Sequence, residues 1–418
     1  MKFCLLTTFY PPWNFGGDGR QVQRLARALA RRGHQVRVVH SREGFRSMSH
    51  TNPEAPAEEL GIEIVAIDAE RGRSSPLATY MTGRPLLVRS QLERALDGDY
   101  DVLHFHNPSL LGGPAILRMG DGLKLYTTHE QWLICPTHVL WQDRARVCEA
   151  PHCWRCTVRH GRPPQLWRST SLMRDAVAQL DLLITPSATS AALHERFSEI
   201  VRIEHLAHFV EDPGEPQRDD GAATEPYILF AGRLEDIKGV QSLVEAARRW
   251  SRARVLIAGT GSLGSELRAR SADLPHVEFL GWQSPRALDA LYRRALATVV
   301  PSVGHEAFGL VPIESLARGV PSVVRDFGSL SELATMSEAV IGYRTNDELV
   351  LALDRLVDEP GDRVRLGEVA RADYLAHWGE ARHLTAYFAL IAEVAQARGE
   401  SGKAEMAAAA SAGEPLLS

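Results

Sequence analysis

The sequence predicts an α/β protein built as two units, each a parallel sheet flanked by helices. Three observations predict it. Strand-like and helix-like segments alternate through both halves, the pattern of β-α-β units whose strands lie parallel. A chain of 418 residues is longer than one typical core supports, so two units are expected. Between the halves, residues 211–226 hold Pro213, Gly214, Pro216, Asp219, Asp220 and Gly221, a composition that reads as a linker.

Composition narrows the function classes. Hydrophobic residues make up 44% and charged residues 24%, ordinary for a soluble globular protein. The net charge of −5 offers no global attraction to nucleic acid. No apolar run approaches the ~20 residues of a membrane-spanning helix. Met1 to Thr8 is apolar but short and is followed by Pro11-Pro12, so it reads as a first strand and not a signal peptide. A cytoplasmic location is the expectation. Arg24, Arg27, Arg31 and Arg32 put cations along the first helix, a face that could meet an anionic membrane and that more often is simply solvated.

The first unit is expected over 1–210. Lys2 to Thr8 reads as a buried strand. Residues 20–32 follow as a helix with Val22, Leu25, Ala26 and Leu29 on one face. Gln35 to His40 is the next strand. The intervening loop carries Gly16 and Gly17, where the backbone can approach a ligand closely. Residues 45–59 read as a polar loop. Ile62 to Ile67, Asp101 to His106, Leu123 to Thr128, Leu182 to Pro186 and Val201 to Leu206 read as strands, and Leu87 to Leu96 as a helix. Ligands of open α/β sheets sit at the carboxyl ends of strands. His104, His106 and the pair His129-Glu130 lie at such ends; His104 and His106 read as structural.

The second unit is expected over 227–375. Tyr227 to Ala231 is a strand ending in Gly232-Arg233, and Lys238-Gly239 opens a helix. Arg233 and Lys238 put two cations where a diphosphate leaving group could be balanced. Arg254 to Ala258 is followed by Gly259-Thr-Gly261-Ser-Leu-Gly264, which fits a dinucleotide-binding pattern. That pattern calls for an acid at the end of the following strand. The strand, Val277 to Leu280, ends instead in Gly281-Trp282. Ala297 to Pro301, Gly319 to Val324 and Ala339 to Tyr343 complete the strands. A final helix over 376–398 is expected to return to the first unit, and 399–418 to be disordered. Both halves thus read as Rossmann-like.

The segment Pro301 to Leu333 carries the densest chemistry. Glu306 and Glu314 stand with seven residues between them. Phe308-Gly309-Leu310 sits where a loop opens a helix, whose unpaired N–H groups suit a phosphate. Carboxylates accept paired sugar hydroxyls. Pro301-Ser302, Glu306-x-Phe308-Gly309-Leu310, Glu314, Gly319-x-Pro321 and Glu332 together resemble the donor-site signature of family-4 retaining glycosyltransferases. Gly16-Gly17, the Arg233/Lys238 spacing and the Gly259-x-Gly261 pair extend the resemblance over most of the chain.

The resemblance implies the GT-B fold, two Rossmann-like domains facing across a cleft, and transfer of a sugar from a nucleotide-diphosphate sugar to an acceptor hydroxyl with retention. The acceptor would be a glycan, a lipid-linked glycan or a small molecule. It implies that Arg233 and Lys238 meet the pyrophosphate, Glu314 the ribose and Glu306 the donor sugar. Gly16, Gly17, Gly232, Gly259, Gly261 and the backbone of Phe308 to Leu310 would approach the donor, and Trp282 would edge the base pocket. His129 matches a family histidine near the transferred sugar. Here it is followed by Glu130 where the family has aspartate. His208-Phe209 replaces the usual Asn-Gly, and Phe327-Gly328 a double glycine.

A cysteine insertion at about 130–165 follows His129. Its spacing, Cys135-x12-Cys148-x4-Cys153-x2-Cys156, lets four thiolates surround one ion tetrahedrally. A structural zinc is the first expectation and an iron–sulfur cluster the alternative, because Pro136 follows Cys135. Its place beside His129 suggests a role in shaping the acceptor pocket. Three rivals to the transferase reading remain at this point: a nicotinamide-dependent oxidoreductase, a sugar-nucleotide epimerase on the same fold, and a non-catalytic metal-stabilised binding module.

Overall fold

The computed structural model describes residues 1–49, 53, 59–70, 73–216 and 225–413. The chain divides into two compact units. The first comprises Met1–Val139, His152–Phe209 and Glu380–Ser418, and the second Leu140–Pro151 and Val210–Gly379. In chain order the strands are β1 (Lys2–Thr7), β2 (Gln35–Ser41), β3 (Ile62–Ile67), β4 (Val102–Asn107), β5 (Leu123–Thr127), β6 (Trp141–Gln142), β7 (Arg146–Val147), β8 (Leu182–Thr185), β9 (Ile203–His205), β10 (Tyr227–Ala231), β11 (Arg254–Ala258), β12 (Val277–Gly281), β13 (Ala297–Val300), β14 (Ser322–Arg325) and β15 (Val340–Tyr343).

The first unit holds a parallel sheet in the order β3-β2-β1-β4-β5-β8-β9. β1 is central, with Cys4 opposite both Arg37 and Leu103. Alternation along β1 splits its side chains between two cores. Phe3 and Leu5 pack with Val22, Leu25 and Leu29 of helix Gly17–Arg31 and with Leu384, Tyr387, Phe388 and Ile391 of helix Glu380–Ala397. Cys4 and Leu6 face the other way, toward Val39, Leu103, Phe105 and Trp132. Burying each large apolar side chain is worth ~1.5–3 kcal/mol, so the C-terminal helix is a full member of this unit.

Three segments differ from expectation. Arg42–Met48 is helical at the start of the expected 45–59 loop, because the Ser41 hydroxyl accepts from the Gly44 N–H at 3.0 Å and caps the helix. Most of the remainder of that loop lies outside the described residues. A helix at Ser74–Thr82 has no strong apolar periodicity in sequence. The tail expected to be disordered instead forms helix Ser401–Ala412, with Ala407 and Ala410 buried. Alanine carries high helix propensity and supplies a packing face without a visible amphipathic pattern.

The second unit holds a parallel sheet in the order β12-β11-β10-β13-β14-β15. β10 is buried along its whole length, as expected of a central parallel strand covered on both faces. Ile228 and Phe230 pack on Val240, Leu243 and Val244 of helix Val240–Ala247 and on Leu349 and Leu353 of helix Asn346–Asp358. In each sheet the strand order reverses once beside the central strand, at β1/β4 and at β10/β13. Such a reversal leaves a crevice at the carboxyl ends of the two strands, where ligands of open α/β sheets bind.

Candidate active site

At the β10/β13 reversal, two strand exits meet. β10 runs into Gly232-Arg233, then a 3-10 turn at Asp236–Lys238. β13 runs into Pro301-Ser302 and on to Glu306. The two loops are fastened by a Val303 N–H bond to the Ile237 carbonyl at 2.9 Å. Their approach leaves no room for side chains. A Cβ on Gly239, which sits at φ +64, would overlap the Pro301 carbonyl oxygen, and one on Gly304 would lie 2.6 Å from Ile237 Cδ1. Only glycine tolerates both demands at position 239.

This closeness brings Lys238 Nζ to 2.6 Å from Glu306 Oε1, and the Ser302 hydroxyl donates to the same oxygen at 2.6 Å. Both charged side chains are about one-fifth exposed, Lys238 at 24% and Glu306 at 20%. Burial alone would raise the Glu306 pKa. The Lys238 charge, the hydrogen bonds from Lys238 and Ser302, and the Arg233 charge outweigh it and hold the carboxyl below its ordinary range. Arg233 is exposed. The sequence reading gave the lysine to phosphate and the glutamate to sugar separately. The structure shows them as one ion pair, and it adds Ser302, whose place in the Pro301-Ser302 motif was the available signal.

Gly259 and Gly261 serve this same region by packing. Gly259 sits at φ +145, and a Cβ there would overlap the Gly232 carbonyl oxygen; a Cβ on Gly261 would lie 2.6 Å from the Leu234 carbonyl carbon. Gly232 and Leu234 donate N–H bonds to the carbonyls of Ala258 and Thr260, each at 3.0 Å. The glycine pattern therefore lets the β11 exit lie against the loop that carries Arg233. β12 ends at Gly281, and Trp282 follows at 66% exposure, so its indole is not part of the core.

Phe308 is buried, Gly309 lies at φ +106, and helix Leu310–Leu316 begins directly after it. The loop-to-helix switch thus falls at Phe308-Gly309-Leu310. Glu314 lies in that helix, where its Oε2 accepts from the Tyr292 hydroxyl at 3.1 Å. Tyr292 was not singled out in the sequence; its place in a helix gave no sign of a polar role.

In the first unit, Gly16 caps helix Gly17–Arg31 in extended conformation, so Gly17 is already in its first turn. Asn107, at the end of β4, donates to Asp18 Oδ2 at 3.1 Å, tying that turn to the β1/β4 reversal. His129 Nε2 lies 2.8 Å from His106 Nδ1, and the His129 ring stacks on His208 at 4.7 Å between centroids. His104 bridges Tyr387 Oη and Thr127 Oγ1 at 2.9 and 2.8 Å. Burial pushes His129 down to about 3 and His383 down to about 4. It also holds His104, His106 and His208 well below the ordinary range, with neighbouring imidazoles adding to the effect. Glu130 pairs with His138.

The expected four-cysteine metal site finds no support among the described residues. Cys135, Cys153 and Cys156 belong to the first unit, whereas Cys148 lies beside the β6/β7 hairpin in the second. Cys135 is buried and its sulfur lies 3.2 Å from Thr137 Oγ1, while Cys153 is exposed at the start of helix Cys153–Arg159. Among the described residues, no group of three or more His, Cys, Asp or Glu side chains could hold a metal ion. The cysteine spacing allowed a cage, and the described residues do not supply one. The basic face of the first helix is partly neutralised, with Arg27 paired to Glu59 at 2.7 Å and Arg31 to Glu380. No described helix is long and apolar enough to cross a membrane.

Comparison with known proteins agrees with this architecture. The Glycosyltransferase Family 4 description matches residues 15–212, and the Glycosyl transferases group 1 description matches residues 215–373. A D-inositol 3-phosphate glycosyltransferase of Acidothermus cellulolyticus is 30% identical, with 87% of this chain and 83% of the relative covered. Among solved structures, the sucrose-phosphate synthase of Thermosynechococcus elongatus superposes with a TM-score of 0.71 at 19% identity, covering 95% of this chain and 99% of that one. The Anabaena protein HepE, solved in complex with UDP-glucose, gives a TM-score of 0.64 at 17% identity over 96% and 99% of the two chains. With both halves matched in order by the family descriptions, the chain belongs to the family-4 glycosyltransferases of GT-B fold and is a retaining glycosyltransferase.

Proposed function

We propose that the second unit binds a nucleoside-diphosphate sugar through Arg233, Lys238 and Glu306, and that the sugar passes to an acceptor hydroxyl in glycan or glycoconjugate synthesis. The observation that carries this reading is the Lys238–Glu306–Ser302 cluster at the β10/β13 reversal with the Arg233 guanidinium exposed beside it. HepE, a neighbour in fold, is solved with UDP-glucose, which agrees with that ligand class.

In the proposed reaction the bond between the anomeric carbon and the diphosphate oxygen breaks, and the acceptor oxygen bonds to the same face. The acceptor proton leaves with the departing phosphate oxygen. Arg233 and Lys238 balance the charge that builds on that oxygen, the kind of preorganised electrostatics that dominates many enzymatic accelerations. Glu306 first holds Lys238 in place and then accepts from sugar hydroxyls. Glu314 holds the ribose and Trp282 edges the base. Gly16, Gly17 and the backbone N–H groups of Phe308 to Leu310 approach sugar and phosphate, and His129 touches the sugar. The packing role of Gly259 and Gly261 weakens the nicotinamide alternative, since those glycines are already required by the Gly232–Leu234 loop.

Calorimetric titration with uridine, guanosine, thymidine and adenosine diphosphates tests the reading. Binding of at least one is expected, and its nucleotide sugar should then yield an α- or β-linked product of unchanged anomeric sense with an added acceptor. Indifference to all four would overturn it. Release of an epimerised sugar nucleotide without transfer would favour the epimerase alternative.

A further inference from the structure

Five histidines of the first unit, His104, His106, His129, His208 and His383, form a cluster that the reaction scheme uses only at His129. His106 Nδ1 and His129 Nε2 share one hydrogen bond at 2.8 Å. Both rings are desolvated and held neutral. Two neutral imidazoles sharing a hydrogen bond must place one proton between them, so their tautomers are coupled: the state of one nitrogen of a ring is set by the bond its other nitrogen makes.

Two arrangements satisfy the bond. In one, His129 Nε2–H donates to His106 Nδ1, and both rings carry their proton on Nε2, generally the commoner neutral form of histidine. In the other, His106 Nδ1–H donates, and both rings take the rarer form. The intrinsic preference for the Nε2–H form favours the first, and the surroundings accommodate it. His106 Nε2 is buried with no partner among the described residues. It belongs to a ring lining a cavity of about 20 Å³, shared with His104, His129, His208, His383 and Tyr387. That volume admits one water molecule, which can accept the Nε2–H. The rings are also fixed in plane. His208 stacks on His129 with planes 13° apart, and His104, tethered at both nitrogens, lies 4.0 Å from His106 between centroids. His129 itself is only partly buried, and its Nδ1 makes no hydrogen bond to the described residues.

We propose that His106 is a positioning residue: it accepts the Nε2–H of His129, locks that ring in the Nε2-protonated tautomer, and leaves Nδ1 as a lone-pair acceptor for a substrate hydroxyl. The last clause rests on the reading above that His129 touches the sugar; the tautomer lock does not.

The test is nitrogen-15 NMR of histidine-labelled full-length protein at pH 7, with His129 assigned from the signals lost in His129→Asn. The expected wild-type spectrum shows His129 Nδ1 unprotonated and Nε2 protonated. His106→Phe removes the acceptor at similar bulk; it should give a mixed His129 tautomer and a fall in kcat of tenfold or more, with the donor KM within about threefold. His106→Asn, whose side-chain oxygen can take the place of Nδ1, should restore the single tautomer and most of kcat. If His106→Phe fails to fold, His106→Asn and the wild-type spectrum decide. A wild-type His129 protonated on Nδ1, or a spectrum unchanged in His106→Phe, would overturn the lock. Wild-type turnover by His129→Ala would overturn the substrate contact and leave the tautomer result standing.

Discussion

Replacing Lys238 by Met separates the two roles that the structure gives this lysine. Its Nζ lies 2.6 Å from Glu306 Oε1, with both side chains about one-fifth exposed. A charge-assisted hydrogen bond contributes ~1.5–3 kcal/mol net, and the partial exposure puts this one near the lower end. Lys238→Met should therefore cost ~1.5–2 kcal/mol, because Glu306 keeps only the Ser302 hydroxyl and the more distant Arg233 charge. The double variant Lys238→Met/Glu306→Gln removes the stranded charge, while the amide oxygen can still accept from Ser302, so most of that loss should return. Ligand binding should behave differently. Loss of one electrostatic donor costs ~2.7–4 kcal/mol in transition-state stabilisation, a fall of ~10²–10³ in turnover. That loss should persist in the double variant. Urea denaturation of the four members of the cycle reads the first effect; calorimetry with nucleoside diphosphate and single-turnover transfer read the second. The reasoning is refuted if the double variant is as unstable as Lys238→Met, or if Lys238→Met turns over donor at the wild-type rate.

Gly259→Ala should destabilise the second unit by more than ~3 kcal/mol and weaken nucleotide binding, since the added methyl overlaps the Gly232 carbonyl beside Arg233; Gly281→Ala, at φ +70 with open space around it, should cost only the ~1–2 kcal/mol of left-handed backbone, and thermal melts of the two distinguish them. The Glu306 carboxyl is depressed in the folded state, so its contribution is present above the ordinary glutamate value of ~4.3 and is lost as pH falls through the lower folded value; Glu306→Gln should flatten that part of an acid-stability curve. The buried histidines act in the same direction over a higher window. Their folded values lie below the ~6.5 of the unfolded chain, so the unfolded state binds more protons, and stability should decline from pH ~6.5 toward the values of about 4 for His383 and about 3 for His129, by up to ~1.4 kcal/mol per pH unit for each ring; acid titration of His383→Gln should show a shallower slope.

Much of the fold was legible because parallel strands buried on both faces write themselves as apolar runs. Tyr227–Ala231 and Arg254–Ala258 fall where the pattern put them. The helix Ser401–Ala412 was not legible, since alanine packs a face without marking it. In the site, residue types were readable and pairings were not. Nothing in local spacing says that Lys238 and Glu306 share a bond, because the β10/β13 reversal that joins them is a property of strand order. His104 and His106, two apart on β4, share one face of the strand, which was the available sign of a cluster; that it reached His129, His208 and His383 depended on elements distant in sequence. The cysteines show the converse. Their spacing was suggestive, yet no group of three or more such ligands gathers among the described residues.

The helix Glu380–Ala397 supplies Leu384, Tyr387, Phe388 and Ile391, and the helix after it Ala407 and Ala410, to a core whose other walls are made from the first two hundred or so residues. A ribosome therefore releases the opening half of this protein well before the wedge that seals it has been translated. A fragment stopped at Phe209 would present a greasy slot to solvent or a chaperone, and would leave His104 without its tyrosine tether. Anyone dissecting the enzyme into halves will have to graft the last helices onto the first piece.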